Sequence, residues 1–219
     1  MKYILFCGLI LLYGFQCDDD IEYDGSERYR LKGTILDEKG LPVKNIGLSL
    51  FGFANAYYEN LIQKGVTDNE GRFDLIFSKN NATTHYLEIN SFYNNYSHPE
   101  YLNDKYSEKF IFFKQLTIVN NEIDMTAHCT LVPGVPLNFV CEDSETVSYY
   151  SIYYQTSQDI YLDETDKIKF ERRLPISSGY TRKIIVPANS KVKILINSSS
   201  KSIVDSIYTT DVPFTYTFK

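Results

Sequence analysis

Residues 29–52, YRLKGTILDEKGLPVKNIGLSLFG, and residues 66–77, VTDNEGRFDLIF, decide the fold. Tyr29, Leu31, Gly33 and Ile35 fall on one side of an extended chain while Arg30, Lys32 and Thr34 fall on the other, the period-two pattern of a strand with one buried face. Asp37-Glu38-Lys39-Gly40 then supplies polar side chains and a glycine for a reversal. Pro42, which has no amide to donate, suits the start or edge of a strand. The alternation resumes at Ile46, Leu48 and Leu50. Thr67-Asp68-Asn69-Glu70-Gly71 reads as a second, tighter reversal with Gly71 at positive φ, leading into a strand with Phe73, Leu75 and Phe77 on one face. Two hairpins of this kind frame an antiparallel β domain.

The same residues carry a family resemblance. Gly33, Ile35, Asp37, Gly40 and Pro42, then residues 46–50, then Thr67, Asp68, Gly71 and Phe73 resemble the pattern G-x-V-x-D-x-x-G-x-P-L, V-x-L, T-D-x-x-G-x-F of the carboxypeptidase regulatory-like (transthyretin-like) domain, with Ile35 where the pattern has valine. The resemblance covers residues 28–127 and implies a β-sandwich. Members of that family are mostly accessory modules of peptidases, transporters and surface proteins, so it also implies scaffold or binding in place of catalysis. Between Gly52 and Gly65 the chain departs from the pattern. Phe53, Ala54, Tyr57, Tyr58, Leu61 and Ile62 recur at helical spacing, so a short helix, a wide loop or a strand all fit residues 53–64.

Residues 1–16, MKYILFCGLILLYGFQ, hold one lysine ahead of an apolar run too short to span a bilayer, the form of a signal peptide. Cys17 follows at once, then Asp18-Asp19-Asp20. The arrangement resembles a bacterial lipoprotein precursor in which Cys17 becomes the acylated N-terminus, and the acidic run resembles the surface-export tag of Bacteroidetes-type lipoproteins. That implies a lipid anchor in the outer membrane facing the cell exterior. Ordinary secretion with a free or disulfide-bonded Cys17 is the other reading. Residues 17–27 read as an acidic tether.

Loss of the leader removes Lys2 and brings the net charge from −6 to −7. With no basic stripe for phosphates, nucleic acid is excluded as a partner. The lysines and arginines between Lys167 and Lys193 alternate with strand residues and acids, a solvated face.

Further along, residues 85–89 read as a strand with Leu87 and Ile89 on one face, and residues 110–119 as another with Phe110 and Phe112 in phase. Residues 92–109, rich in Asn, Tyr and Ser, read as irregular. Their rings, Tyr93, Tyr96 and Tyr101 above all, make the candidate contact surface. The pattern resets near residues 127–133. From 128 to 219, strands at 137–141, 147–154, 167–174, 184–186, 192–196 and 213–218 make a second small antiparallel β-sandwich, with one enlarged β domain as the alternative. The fold class is therefore all-β throughout.

Chemistry-bearing residues are sparse. Cys129 and Cys141 lie symmetrically about Val135, so a hairpin turning there makes a disulfide possible in an oxidising compartment. Two buried thiols fit as well. His85, His98 and His128 are too far apart to signal a metal site. His128 and Cys129, adjacent on an extended chain, point to opposite faces and make a poor thiol–imidazole pair. Asp163-Glu164-Thr165-Asp166 lacks the glycine and distal glutamate of a calcium loop. No cofactor is implied. Taken together these features lead to a non-catalytic, membrane-tethered surface lipoprotein that binds a surface protein or glycan. A structural or adhesin-type subunit of a surface assembly is the alternative, and a hydrolase the least favoured class.

Overall fold

The computed structural model describes residues 23–53, 59–91, 99–114, 118–142, 149–162, 172–177, 180–197 and 202–218. The architecture is all-β, with short 3-10 turns at Pro99–Tyr101 and Thr126–His128. The strands of the first half are β1 (Tyr23–Thr34), β2 (Leu36–Asp37), β3 (Gly47–Phe53), β4 (Glu59–Val66), β5 (Arg72–Asn80), β6 (Thr84–Ile89), β7 (Lys109–Lys114), β8 (Glu122–Asp124) and β9 (Thr130–Leu131). Those of the second are β10 (Gly134–Cys141), β11 (Tyr149–Gln155), β12 (Ile160–Tyr161), β13 (Arg172–Ser177), β14 (Thr181–Pro187), β15 (Lys191–Asn197), β16 (Ser202–Tyr208) and β17 (Phe214–Phe218).

In the first half, β1 is the centre of a three-stranded sheet, antiparallel to β5 on one side and parallel to β8 on the other. Strands β7, β6, β3 and β4 form an antiparallel sheet in that order. The inner faces of both sheets meet in one apolar core, with Leu31 and Leu75 from the first and Leu48, Leu87, Ile111 and Phe113 from the second.

The second half repeats this plan strand for strand. β10 is central, antiparallel to β14 and parallel to β17. The other sheet runs β16, β15, β11, β13, all antiparallel. Leu137 and Ile184 from one sheet meet Ile152, Ile194 and Ile196 from the other in a second core. Numbering the seven main strands of each half in chain order, both have sheets 4-1-7 and 6-5-2-3 with the same strand senses. The outstanding addition is β12, which leaves the second half between its second and third strands and pairs in parallel with β7, the sixth strand of the first half.

The two reversals in the opening stretch are built alike. Asp37 O accepts from Gly40 N, Asp37 N donates to Leu41 O, and Asp37 Oδ1 accepts from the amides of Lys39 and Leu41. Asp68 makes the same four bonds with Gly71, Arg72 and Glu70. Gly40 and Gly71 both sit at positive φ, 77° and 71°. An aspartate two and four residues before the amides it satisfies, followed by a glycine free to adopt the left-handed region, closes each turn.

Several expectations are corrected. β1 starts at Tyr23, so the tether of residues 17–27 is shortened. Tyr23 and Asp24 pair with Asn80 and Lys79, a bulge absorbs the residues before Arg28, and Lys79 Nζ holds Glu27 at 2.9 Å. Of the three alternatives left open for residues 53–64, strand is the one formed at Phe53 and at residues 59–64; residues 54–58 lie outside the described residues. The pairing of β3 with β4 skips Ile62, and that bulge makes Leu61 and Ile62 consecutive apolar residues, which mimics a helical stripe. On β7, Ile111 and Phe113 face the main core, while Phe110 and Phe112 join Phe51 and Tyr86 in a separate cluster on the other face. With both faces buried, period two does not reveal which one is inside. Residues 122–131 hold two short strands, β8 and β9, separated by a 3-10 turn.

Candidate functional site

The outward face of the β5–β1–β8 sheet carries an open cleft of about 410 Å³ lined by Lys32, Thr34, Asp68, Arg72, Asp124 and Thr126, with Arg30 and Asp74 along one side. Strand alternation sets this out. Arg30, Lys32 and Thr34 point away from the core on β1, and the register puts Lys32 beside Asp74 on one side and Asp124 on the other. Arg30 donates to both oxygens of Asp74, Nε to Oδ1 at 2.9 Å and a terminal nitrogen to Oδ2 at 2.6 Å, and lies 3.5 Å from Glu122. Lys32 pairs with Glu122 as well. The hydrogen bond from Arg30 holds the Asp74 carboxyl below the usual range, and that of Asp124 is lowered by its hydrogen bonds with Thr126. These pairs are half-exposed, where an ion pair contributes only about 0–1 kcal/mol. The cleft offers alternating charge to a ligand of mixed sign.

A different constellation lies where the two halves meet. Glu108, buried just before β7, exchanges bonds with the edge strand β14: its amide donates to Ile185 O at 2.8 Å, and Ile185 N donates back to Glu108 Oε1 at 3.2 Å. Its other oxygen accepts from the Tyr154 hydroxyl at 2.8 Å. Ser107 N donates to Val132 O and Gly134 N to Lys105 O, both at 2.9 Å. Gly134 lies so close to this segment that a Cβ there would stand 2.5 Å from Ser107 N. A carboxylate here does the work of a strand partner, satisfying a backbone amide that an edge strand would leave bare.

Beside the seam, Lys109 is buried with its Nζ donating to Thr130 O at 2.9 Å, and desolvation lowers its pKa. Burial pushes the Cys129 thiol up to about 12, which leaves it neutral and unreactive. Cys129 lies in the first core and Cys141 in the second, both as free thiols. The hairpin about Val135 is not formed: Val135 lies inside the straight strand β10, which pairs with β14 and β17, so the bridged alternative falls and the buried-thiol alternative describes the site.

Sequence reasoning missed His85. It shares the inward face of β6 with Leu87 and Ile89, is fully buried between Phe77 and Phe113, and finds no partner for either ring nitrogen among the described residues. The signal was its parity with Leu87. Of the proposed contact tyrosines, Tyr93 and Tyr96 lie outside the described residues, as does Cys17. Tyr101 is half-buried in the 3-10 turn. The chain after it is pinned: Asn90 Nδ2 donates to Asn103 O and Tyr106 O, and Asn90 Oδ1 accepts from Asn103 N, each at 2.8 Å. Residues 103–108 therefore belong to the scaffold and not to an exposed contact loop. Among the described residues no group of three or more His, Cys, Asp or Glu is placed to hold a metal ion.

No family model matches the chain. No curated protein matches it. Among solved structures it is similar to the Bacillus anthracis TIE protein, with 12% identity and a TM-score of 0.35 over 88% of this chain and 34% of that one. It is similar also to the shaft pilin spaA of Lactobacillus rhamnosus GG, with 8% identity and a TM-score of 0.33 over 86% and 96% of the two chains. A Streptococcal ancillary pilin shows 9% identity and a TM-score of 0.30 over 89% and 62%. The chain spans about a third of the length of the TIE protein and about three fifths of that ancillary pilin.

Proposed function

We propose that this chain is a non-catalytic surface lipoprotein of the structural or adhesin type. A lipid on Cys17 and a short acidic tether hold an arm of two β-sandwich units, the first of the carboxypeptidase regulatory-like type. The observation that carries this reading is the seam. An enzyme built from two units commonly keeps its reacting groups in the crevice between them, whereas here Glu108, Tyr154 and the backbone of Ile185 fill that place with mutually satisfied, buried hydrogen bonds. Such a joint fixes the two units against each other through satisfied bonds. The acidic run after Cys17 and the apolar leader before it support export and anchoring.

The structural type is favoured over a free-standing binding module by β16, the last strand of its sheet among the described residues, which exposes Val204 and Tyr208. To test the reading, the purified mature chain is presented with panels of peptides, esters and glycosides, and the surface of cells carrying the Cys17→Ala chain is compared with wild type. No turnover is expected, together with release of the Cys17→Ala chain and its partners into the medium. A specific turnover that survives purification overturns the non-catalytic assignment.

A further inference from the structure

β7 and β16 hold the same place in the two halves, the sixth of seven main strands, yet they are built for different surroundings. β16 suits an edge. Its residues are exposed or half-buried from Ser202 to Tyr208, and Asp205 interrupts the inward row of Ile203 and Ile207. β7 is the opposite case: residues 110–113 are all apolar and all buried, and its pairing with β6 runs from Lys109 to Lys114 without a bulge. A strand with no charge, proline or bulge along its outer side is left unprotected as an edge and needs a neighbour there.

That neighbour comes from the other half. β11, paired to both β13 and β15, ends at Gln155, and a tight turn follows in which Thr156 N donates to Asp159 Oδ2 at 3.0 Å and Gln158 N donates to Thr156 Oγ1 at 3.3 Å. The turn delivers Ile160 and Tyr161 alongside Ile111 and Phe112, and Leu162 N donates to Phe112 O at 2.9 Å. Both Ile160 and Leu162 pack against the first core. Neither takes part in the second core, where β11, β13 and β15 contribute Ile152, Ile176, Ile194 and Ile196.

The turn is held on both sides. Tyr154, two residues before it, is bonded to Glu108, and Asp159 at its end lies within electrostatic reach of the buried Lys109 ammonium. The start of β7 therefore grips the segment from which β12 emerges.

We propose that β12 is a strap lent by the second half to complete the first, so that the first sandwich depends on a strand of the second while the second keeps its core when the strap is released. A domain ordinarily carries its whole core within its own stretch of chain. Here the first half takes Ile160 and Leu162 from beyond its end, and the dependence holds whether or not the chain is anchored through Cys17.

The test uses the whole mature chain with Cys17→Ser and reads amide hydrogen exchange strand by strand. Ile160→Asp together with Leu162→Asp sets two charges where the strap meets the first core. Protection of β3, β6 and β7 is expected to fall by roughly 100-fold, the factor for withdrawing two apolar side chains, with that of β11 and β15 unchanged. Leu162→Ala, a milder change at a half-buried position, is expected to give the same pattern at about tenfold and serves if the double variant does not fold. Loss confined to the first half supports the strap. Loss shared equally by β11 and β15, or no loss in β6 and β7, overturns it.

Discussion

The hydroxyl of Tyr154, on the second unit, donates to Glu108 of the first at 2.8 Å, with both residues buried. Because Ile185 N uses the other carboxylate oxygen, truncating Glu108 strands two donors in a region closed to water. Glu108→Ala is expected to cost about 2–4 kcal/mol, the penalty for leaving buried partners of a charged group unpaired. Tyr154→Phe, which removes one donor with its ring in place, costs about 1–2 kcal/mol. Urea denaturation of the two single variants and the double variant checks this. Additive losses contradict the coupling across the seam.

The seam also depends on Gly134, where any side chain meets the Tyr106–Ser107 backbone. Gly134→Ala is expected to lower the urea midpoint as much as Glu108→Ala does, and to raise hydrogen exchange at the Ser107 and Ile185 amides. Unchanged protection there means the backbones are farther apart than described.

His85 gives the fold an acid sensitivity. Burial without a hydrogen-bond partner lowers its pKa from 6.5 to about 4, so the folded protein refuses a proton that the unfolded chain accepts. Stability from this residue is complete above pH 6.5 and is lost as pH falls toward 4, by roughly 3 kcal/mol at about 1.4 kcal/mol per pH unit. His85→Leu removes this dependence, so the stability difference between variant and wild type widens in the variant's favour between pH 6.5 and 4. A difference that stays constant over that interval refutes the assignment.

The paired turns separate two costs of replacing glycine. Gly40 and Gly71 have the same sign of φ, but a Cβ on Gly40 meets open space, whereas one on Gly71 falls 2.6 Å from Ile35 O. Gly40→Ala is expected to cost about 1 kcal/mol from backbone conformation alone. Gly71→Ala costs about 3 kcal/mol, since it also displaces the Ile35 carbonyl that Val43 N uses. Equal denaturation midpoints for the two variants would mean that the close approach is absent.

The turns were legible because aspartate and glycine at fixed spacing act locally, within five residues. The β16 strand was not, because Ile203, Val204 and Ile207 do not alternate and Asp205 occupies an inward position. Glu108 had no local signal at all: its partners Tyr154 and Ile185 lie 46 and 77 residues away. The duplication of topology was hidden for a related reason. The second unit keeps the order and sense of the strands without the Asp-x-x-Gly turns that mark the first, so the likeness lives in pairing and not in residues.

The central claim, a lipid-anchored arm displayed at the surface, is tested most directly by intact-mass spectrometry of the protein extracted from membranes of cells with and without prior proteinase treatment. The account predicts a chain beginning at Cys17 and carrying acyl mass, present in untreated cells and removed from intact cells by the proteinase. An unmodified chain in the soluble fraction, or an acylated chain untouched by proteinase until the cells are broken, contradicts it.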